Sequence, residues 1–202
     1  MSKFPTLDFI IWNNFSKDIE GPLNKNESLY EFVNDGLKNV KLCHKNQPIE
    51  SYKYIVYILS CVDNKYYVGI TKNDNLVERL KSHYNGIGSV WTQKYHPIKV
   101  IESYYENDKF QEHIWFLKTC NKYGIDNVRG ASYVNLYMSM QDKDCIKREI
   151  MNALDKCFIC GNEGHYSKEC PNKITKINER KRKNEDNLDR IILNIKDNEL
   201  KN

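Results

Sequence analysis

The sequence predicts an α+β domain, a small antiparallel three-stranded sheet flanked by helices, followed by a short cysteine-rich module. Three observations carry that expectation. Residues 54–71, YIVYILSCVDNKYYVGIT, hold two β-branched and aromatic runs on either side of the polar turn Asp63-Asn64-Lys65, the pattern of an antiparallel hairpin. Residues 73–86, NDNLVERLKSHYNG, carry Leu76, Val77, Leu80 and Tyr84 at helical spacing. Residues 157–170, CFICGNEGHYSKEC, gather three of the chain's seven cysteines and a histidine.

Taken in order, residues 1–50 mix apolar pieces (LDFIIWNNF, SLYEFV) with the turn-forming NKN and GP. They read either as a small cap on the domain that follows or as a partly disordered extension. After the hairpin, Asn73 or Asp74 is available to cap the first helix and Gly86 to end it. The loop GIGSVWTQKYH leads to Pro97 and a third strand, IKVIESYY. A second helix opens at Asn107-Asp108 and closes at Lys122-Tyr123-Gly124, where glycine suits the left-handed position past a helix end. On that helix Phe110, Ile114 and Leu117 form one apolar stripe, while Glu112 lies opposite, flanked by Trp115 and Phe116. Tyr133 to Tyr137 is expected to add an edge strand, and DKDCIKREIMNAL a further helix. The expected organisation is an extension over 1–50, the sheet-and-helix domain over 51–139, a helical linker over 140–156, the cysteine module over 157–170 and a basic, amphipathic tail over 171–202.

With 202 residues, 40% of them hydrophobic, the chain can bury one real core and carry an appendage. No run approaches the roughly 18 apolar residues of a membrane span, and the N-terminus lacks a signal-peptide pattern. The expectation is a soluble, non-secreted, intracellular protein of the cytoplasm or nucleus. An odd number of cysteines with three in one cluster fits a reducing compartment and a metal site better than a disulfide framework. A net charge of +4 says little about partners, but its distribution says more: from Lys173 to Lys183 the chain reads KITKINERKRK, six bases and one acid. Further on, Leu188, Ile191, Ile192 and Ile195 make an apolar stripe in a charged stretch, a possible surface for oligomerisation.

Cys157, Cys160, His165 and Cys170 have the spacing C-x2-C-x4-H-x4-C. So short a segment cannot bury a core, so zinc must supply its folding free energy through three thiolates and one imidazole. Four protein ligands close the shell, leaving no position for an activated water; the ion is structural. Gly161 and Gly164 let the backbone turn around it. The segment resembles the zinc knuckle of retroviral nucleocapsid and related nucleic-acid-binding proteins. That resemblance implies that Phe158 and Tyr166 stack on unpaired bases, and that Lys173, Arg180, Lys181, Arg182 and Lys183 track phosphates. The alternative for the two aromatics is that they only cover the metal.

Ile55-Val56-Tyr57 and Tyr67-Val68-Gly69, with nine residues between the tyrosines, resemble the two signatures of GIY-YIG nucleases, Ile55 standing where the first signature has glycine. Strand alternation allows Tyr57 and Tyr67 to project from one side of the sheet. A phenol has a reference pKa near 10 and is a poor base in water, but it can take a proton from an attacking water if nearby cations stabilise its ionised form. Arg79 and His83, four apart, share one face of the following helix. The resemblance implies that Arg79 holds the scissile phosphate, that His83 assists, and that Glu112 on the second helix binds Mg²⁺ or Mn²⁺. Alternatives from the residues alone are an exposed helix arginine, a partly buried polar histidine and a first-turn glutamate that complements the helix dipole. Asn127, in YGIDNVRG, reads as a turn asparagine. The resemblance spans about residues 54–121, and KYGIDNVRGASY followed by a knuckle further resembles uncharacterised GIY-YIG proteins of giant DNA viruses and some protists, a source that would place the protein in the host cell.

These features together imply a metal-dependent endonuclease acting on phosphodiester bonds. Tyr57 would be the base, Tyr67 the orienting phenol, and the knuckle would deliver branched or single-stranded nucleic acid, DNA ahead of RNA. Two other classes compete. One is a non-catalytic nucleic-acid-binding protein with a degenerate GIY-YIG domain, and the other an assembly role through the stripe at Leu188 to Ile195.

Overall fold

The computed structural model describes residues 23–38, 40–42 and 51–173, with the single positions 178, 182, 186 and 187. The chain divides into two units, Met1–Lys143 and Asp144–Asn202. In chain order the elements are α1 (Leu23–Lys38), β1 (Val40–Leu42), β2 (Tyr54–Cys61), β3 (Lys65–Lys72), α2 (Leu76–Tyr84), α3 (Val90–Lys94), β4 (Pro97–Glu106), α4 (Gln111–Tyr123), β5 (Val128–Gly130) and α5 (Met140–Ala153).

The hairpin forms where its turn residues place it. Asp63 and Asn64 take φ of 57° and 54°, a left-handed pair that these side chains tolerate and that suits the twist of a tight hairpin. From there β2 and β3 pair antiparallel without a break, from Cys61↔Lys65 to Tyr54↔Lys72. β4 runs antiparallel on the other side of β2, with register shifts after Ile58 and Ser60. These three strands are the expected centre of the sheet. Two three-residue parallel strands extend it, β1 beside β4 and β5 beside β3, giving the order β1-β4-β2-β3-β5.

The edge strand therefore lies at Val128–Gly130 and not at Tyr133 to Tyr137, where Tyr133 forms only an isolated bridge to Gly130. The backbone explains the difference: Gly130 (φ 146°) and Ala131 (φ 48°) bend the chain away from the sheet just after β5.

Leu23–Lys38 packs against the sheet domain through its inward side. Phe32 and Val33 on α1 are buried, and the Gly36 carbonyl accepts a hydrogen bond from Ser103 Oγ on β4 at 3.3 Å. A Cβ at Gly36 would overlap the Leu80 side chain, so glycine permits the close approach of α1. Ile55, Tyr57 and Leu59 from one face of β2 join Phe32, Val33, Leu76, Leu80, Trp91 and Val100 in the core. Val56 and Ile58, on the other face, are buried as well, so β2 is a fully interior strand. Ile55 is 2% exposed and sits in the unbroken β2–β3 ladder; the missing glycine leaves the hairpin register intact.

α4 corrects the expected stripe. Phe116, Thr119 and Cys120 face inward, whereas Phe110 is 78% exposed and Ile114 41%. The inward side is chosen by what the sheet and the 131–133 turn offer, here a Phe116–Tyr133 stack with ring centroids 5.2 Å apart, and not by the helix's own apolar arc. Among the described residues no helix is long and apolar enough to cross a membrane.

Candidate active site

The register of the hairpin pairs Tyr57 with Gly69 and Leu59 with Tyr67, so both phenols project from one face as diagonal neighbours. Gly69 has a specific reason to be glycine: a Cβ there would overlap the Tyr57 hydroxyl, which lies over its backbone. α2 then brings Arg79 and His83 to the same spot, one helical turn apart. Arg79 Nε donates to Tyr57 Oη at 3.2 Å, and His83 Nε2 lies 3.0 Å from the same oxygen. The Tyr67 and His83 rings are 4.9 Å apart, and the Tyr67 hydroxyl hydrogen-bonds Arg79 and Ser89.

The other ring nitrogen of His83 is held by α3. Ser89 caps that helix, its side chain accepting from Thr92 N. Thr92 Oγ1 donates to the Ser89 carbonyl at 3.0 Å, which leaves it an acceptor toward His83 Nδ1 at 2.8 Å. With Thr92 Oγ1 donating to the Ser89 carbonyl, the proton is assigned to Nδ1, and Nε2 then accepts from the Tyr57 hydroxyl. Gly88 packs so close that a Cβ there would overlap His83 Nδ1.

Electrostatics sharpen the assignment. Burial and the Arg79 charge hold His83 down at about 3, so the fully buried imidazole is neutral. Burial and the Tyr67 phenol push Tyr57 up, against the pull of Arg79; Tyr67 is pushed up by burial too. The expectation that nearby cations would favour a tyrosinate is therefore corrected for the free protein: desolvation outweighs Arg79, and Tyr57 is a neutral phenol.

Glu112 sits in the first turn of α4, half-buried. Burial pushes its carboxyl up, while the backbone N–H groups of Ala131 and Ile70 and the Arg79 charge pull it down. Ile70 lies on β3 and Ala131 just past the end of β5, so the carboxylate bridges the two strands. Its charge is felt by both Tyr57 and Tyr67, so all five residues converge. The Glu112 carboxylate is a hard oxygen donor of the kind a divalent cation takes, with substrate phosphate and water left to complete such a shell.

Ser89, Thr92 and Arg129 were not singled out by the sequence. Ser89 and Thr92 lie in the GIGSVWTQ loop, and nothing in a loop pattern tells which hydroxyl reaches a histidine nine residues back. Arg129 is 4% exposed. Asn127 takes the turn role expected of it, accepting from Lys65 Nζ at 2.7 Å and donating to the Tyr123 carbonyl at 2.9 Å.

In the second unit the ligand atoms of Cys157, Cys160, His165 and Cys170 all lie within 4.8 Å of one another, a separation that suits one tetrahedral ion. Burial raises the Cys157 thiol, but the backbone N–H groups of Cys160 and Ile159 bring it down to about 6, as a metal-binding thiolate requires. Gly161 and Gly164 take φ of 78° and 85°. Phe158 is 46% and Tyr166 68% exposed. Both rings therefore keep a face open. Lys173 and Arg182 are exposed; Arg180, Lys181, Lys183 and the stripe from Leu188 to Ile195 lie outside the described residues.

Comparison with known proteins finds two family matches and two relatives. Residues 53–119 match the GIY-YIG catalytic domain and residues 155–172 the zinc knuckle. The chain is 40% identical over 55 residues to a UPF0213 protein of Clostridium perfringens, covering 27% of this chain and 57% of that one. It is likewise 40% identical over 55 residues to a UPF0213 protein of Limosilactobacillus reuteri, covering 26% of this chain and 55% of that one. The chain thus spans little more than half the length of these curated relatives. No solved structure matches it. Phenols, guanidinium, imidazole and carboxylate thus converge within the stretch that matches the GIY-YIG catalytic domain, and the Cys₃His cluster lies within the stretch that matches the zinc knuckle.

Proposed function

We propose that the protein is a metal-dependent endonuclease that hydrolyses phosphodiester bonds in branched or single-stranded DNA, with the knuckle and basic tail holding the nucleic acid. The observation that supports this reading best is the hydrogen-bonded chain Arg79–Tyr57–His83–Thr92 beside Glu112.

Each side chain has a task that its surroundings suit. Tyr57 is fully buried beneath Arg79, so a phosphate that draws the guanidinium onto itself uncovers the phenol oxygen. A water placed there passes a proton to Tyr57 Oη as the phenolic proton moves to His83 Nε2, whose lone pair already points at it. The hydroxide oxygen bonds to phosphorus, the P–O bond to the leaving oxygen breaks, and that oxygen takes its proton from solvent. His83 is neutral and offers a lone pair, a phosphate that offsets the Arg79 charge removes one of the two causes that hold its basicity down, and Thr92 keeps its ring from turning. Tyr67, tied to Arg79 and Ser89, orients the phosphate. Mg²⁺ or Mn²⁺ at Glu112 would supply Lewis-acid stabilisation of the charge that develops on the phosphate.

The test is incubation of the purified chain with labelled branched, single-stranded and duplex DNA and RNA, with and without Mg²⁺ or Mn²⁺, beside Glu112→Ala and Arg79→Ala. Metal-dependent cleavage that vanishes in both variants is expected, by roughly 10²-fold or more. Variants as fast as the parent would sink the mechanism. Tight binding without cleavage on any substrate would favour the non-catalytic binding protein. Removal of residues 157–202 is expected to weaken binding and flatten its salt dependence, as loss of phosphate contacts requires.

A further inference from the structure

Arg129 has no part in the chemistry just described, yet it is among the most buried charges of the described residues, 4% exposed on a three-residue edge strand. Among the described residues its guanidinium hydrogen-bonds main-chain carbonyls, Nε to Asn135 O at 2.8 Å, Nη1 to Val128 O at 2.7 Å and Ile125 O at 3.3 Å, and Nη2 to Leu136 O at 2.9 Å, with the Asp126 charge nearby. One flat face lies over the Trp91 ring, 4.4 Å from its centroid. Burying a charge this way is costly, and only the planar, multi-donor fork of arginine can serve four carbonyls and a ring at once.

What those contacts hold is informative. The four carbonyls come from either side of the bend at Gly130–Ala131, so the fork clasps residues 125–136 into a loop. Mutual bonds between Gly130 and Tyr133 close its tip, at 3.1 Å and 2.9 Å. Within that tip lies the Ala131 N–H that supports the Glu112 carboxylate. On the other side, Trp91 is fixed by its indole N–H to the Tyr66 carbonyl at 3.0 Å, and the next residue is Thr92, which holds His83. The two arms of the site, Thr92–His83 and Ala131–Glu112, therefore meet at one side chain.

We propose that Arg129 is a positioning residue that sets the Thr92–His83 arm and the Ala131–Glu112 arm in register with the two phenols. Its effect on cleavage rests on the nuclease reading; its effect on the two arms does not. A three-residue strand cannot hold a loop by its own ladder, so the clasp supplies what β5 lacks. Lysine at this position keeps the charge but presents one point instead of a fork.

The experiment compares the full-length zinc-loaded chain with Arg129→Lys, and with Trp91→Phe as a milder variant that removes the indole bond and shrinks the ring beneath the guanidinium. Three readouts are taken: amide hydrogen exchange at Ala131 and Ile70, the imidazole ¹⁵N signature of the His83 tautomer, and kcat and KM for Mg²⁺-dependent cleavage. In Arg129→Lys the Ala131 and Ile70 amides should lose protection and the single Nδ1–H signature should become a mixture. kcat should fall roughly 10²-fold, as misplacement of reacting groups does, with KM little changed. Trp91→Phe should move the His83 signature and leave the Ala131 amide alone. A lowered melting temperature with all three readouts unchanged would overturn the proposal, as would loss of Ala131 protection in Trp91→Phe without change at His83. If the parent chain cleaves nothing, the nuclease reading fails, and the exchange and ¹⁵N readouts still decide the role of Arg129.

Discussion

The two halves of this protein assemble their functional groups by opposite routes. In the first unit Tyr57, His83, Thr92 and Glu112 come from four separate elements, β2, α2, α3 and α4, and burial of Ile55, Leu59, Leu76, Leu80 and Trp91 is what brings them together. In the knuckle the four ligands lie within a few turns of one chain segment, and among its described residues Cys157 and Cys170, both ligands, are buried where a core would be. One site is a by-product of a packed core, stabilised by the hydrophobic effect and tuned by desolvation. The other has little but its metal, which does not need the rest of the fold to find it.

The largest way to break this contrast is to remove the zinc. Structural zinc is worth about 10–16 kcal/mol to small modules of this kind, so chelation or Cys160→Ser is expected to abolish amide protection throughout residues 157–170 while the β2–β3 amides keep theirs. Hydrogen exchange followed by mass spectrometry reads both at once. Persistent protection of the knuckle without metal would show that it has a core after all.

Tyr57→Phe probes the first unit in the converse way, keeping the packed ring and deleting the hydroxyl on which Arg79 and His83 converge. Cleavage should fall by roughly 10²–10⁴-fold, the usual worth of a positioned proton acceptor, with nucleic-acid binding by the knuckle unchanged. A rate near that of the parent would move the base function elsewhere, Tyr67 first.

Acid should expose both units for different reasons. His83 is held at about 3 against an ordinary value of 6.5. Between those pH values the unfolded chain binds a proton that the native chain refuses, so native stability is complete above pH 6.5 and falls as pH drops toward 3, by a few kcal/mol in order of magnitude. Urea midpoints measured across this window should slope downward with acid, and His83→Gln should flatten the slope. The knuckle loses its metal in acid because its ligands are protonated, so excess zinc should restore the knuckle and leave the midpoint of the first unit where it was.

The smallest effect is expected of Gly69→Ala. The new methyl meets the Tyr57 hydroxyl, and overpacking of this kind costs about 1–3 kcal/mol. Thermal melting of the first unit should shift down and cleavage with it, while zinc affinity stays put. A melt unchanged in Gly69→Ala would mean that Tyr57 can swing aside freely.

The hairpin was legible in the sequence because its signals are local: alternation along the strands and an Asp-Asn turn that accepts two left-handed residues. α2 was legible for the same reason, and with it the shared face of Arg79 and His83. The edge strand was misplaced by a few residues because β5 is held by β3 and by the Arg129 clasp, neither of which leaves a periodic trace. The inward face of α4 was missed because Phe110 and Ile114 made a convincing stripe, yet the sheet and Tyr133 offered a better partner to Phe116.

The sequence by itself determined the ligands of the zinc, the hairpin and its two phenols, and which side chains could meet on one helical face, since each depends on residues near in the chain. Only the tertiary structure decided that Thr92 would fix the His83 tautomer, that desolvation would keep Tyr57 a neutral phenol, that Glu112 would rest on the Ala131 and Ile70 amides, and that Arg129 would join the two arms. Those properties depend on what surrounds a group once water has been excluded, and a dielectric environment has no local signature in the chain.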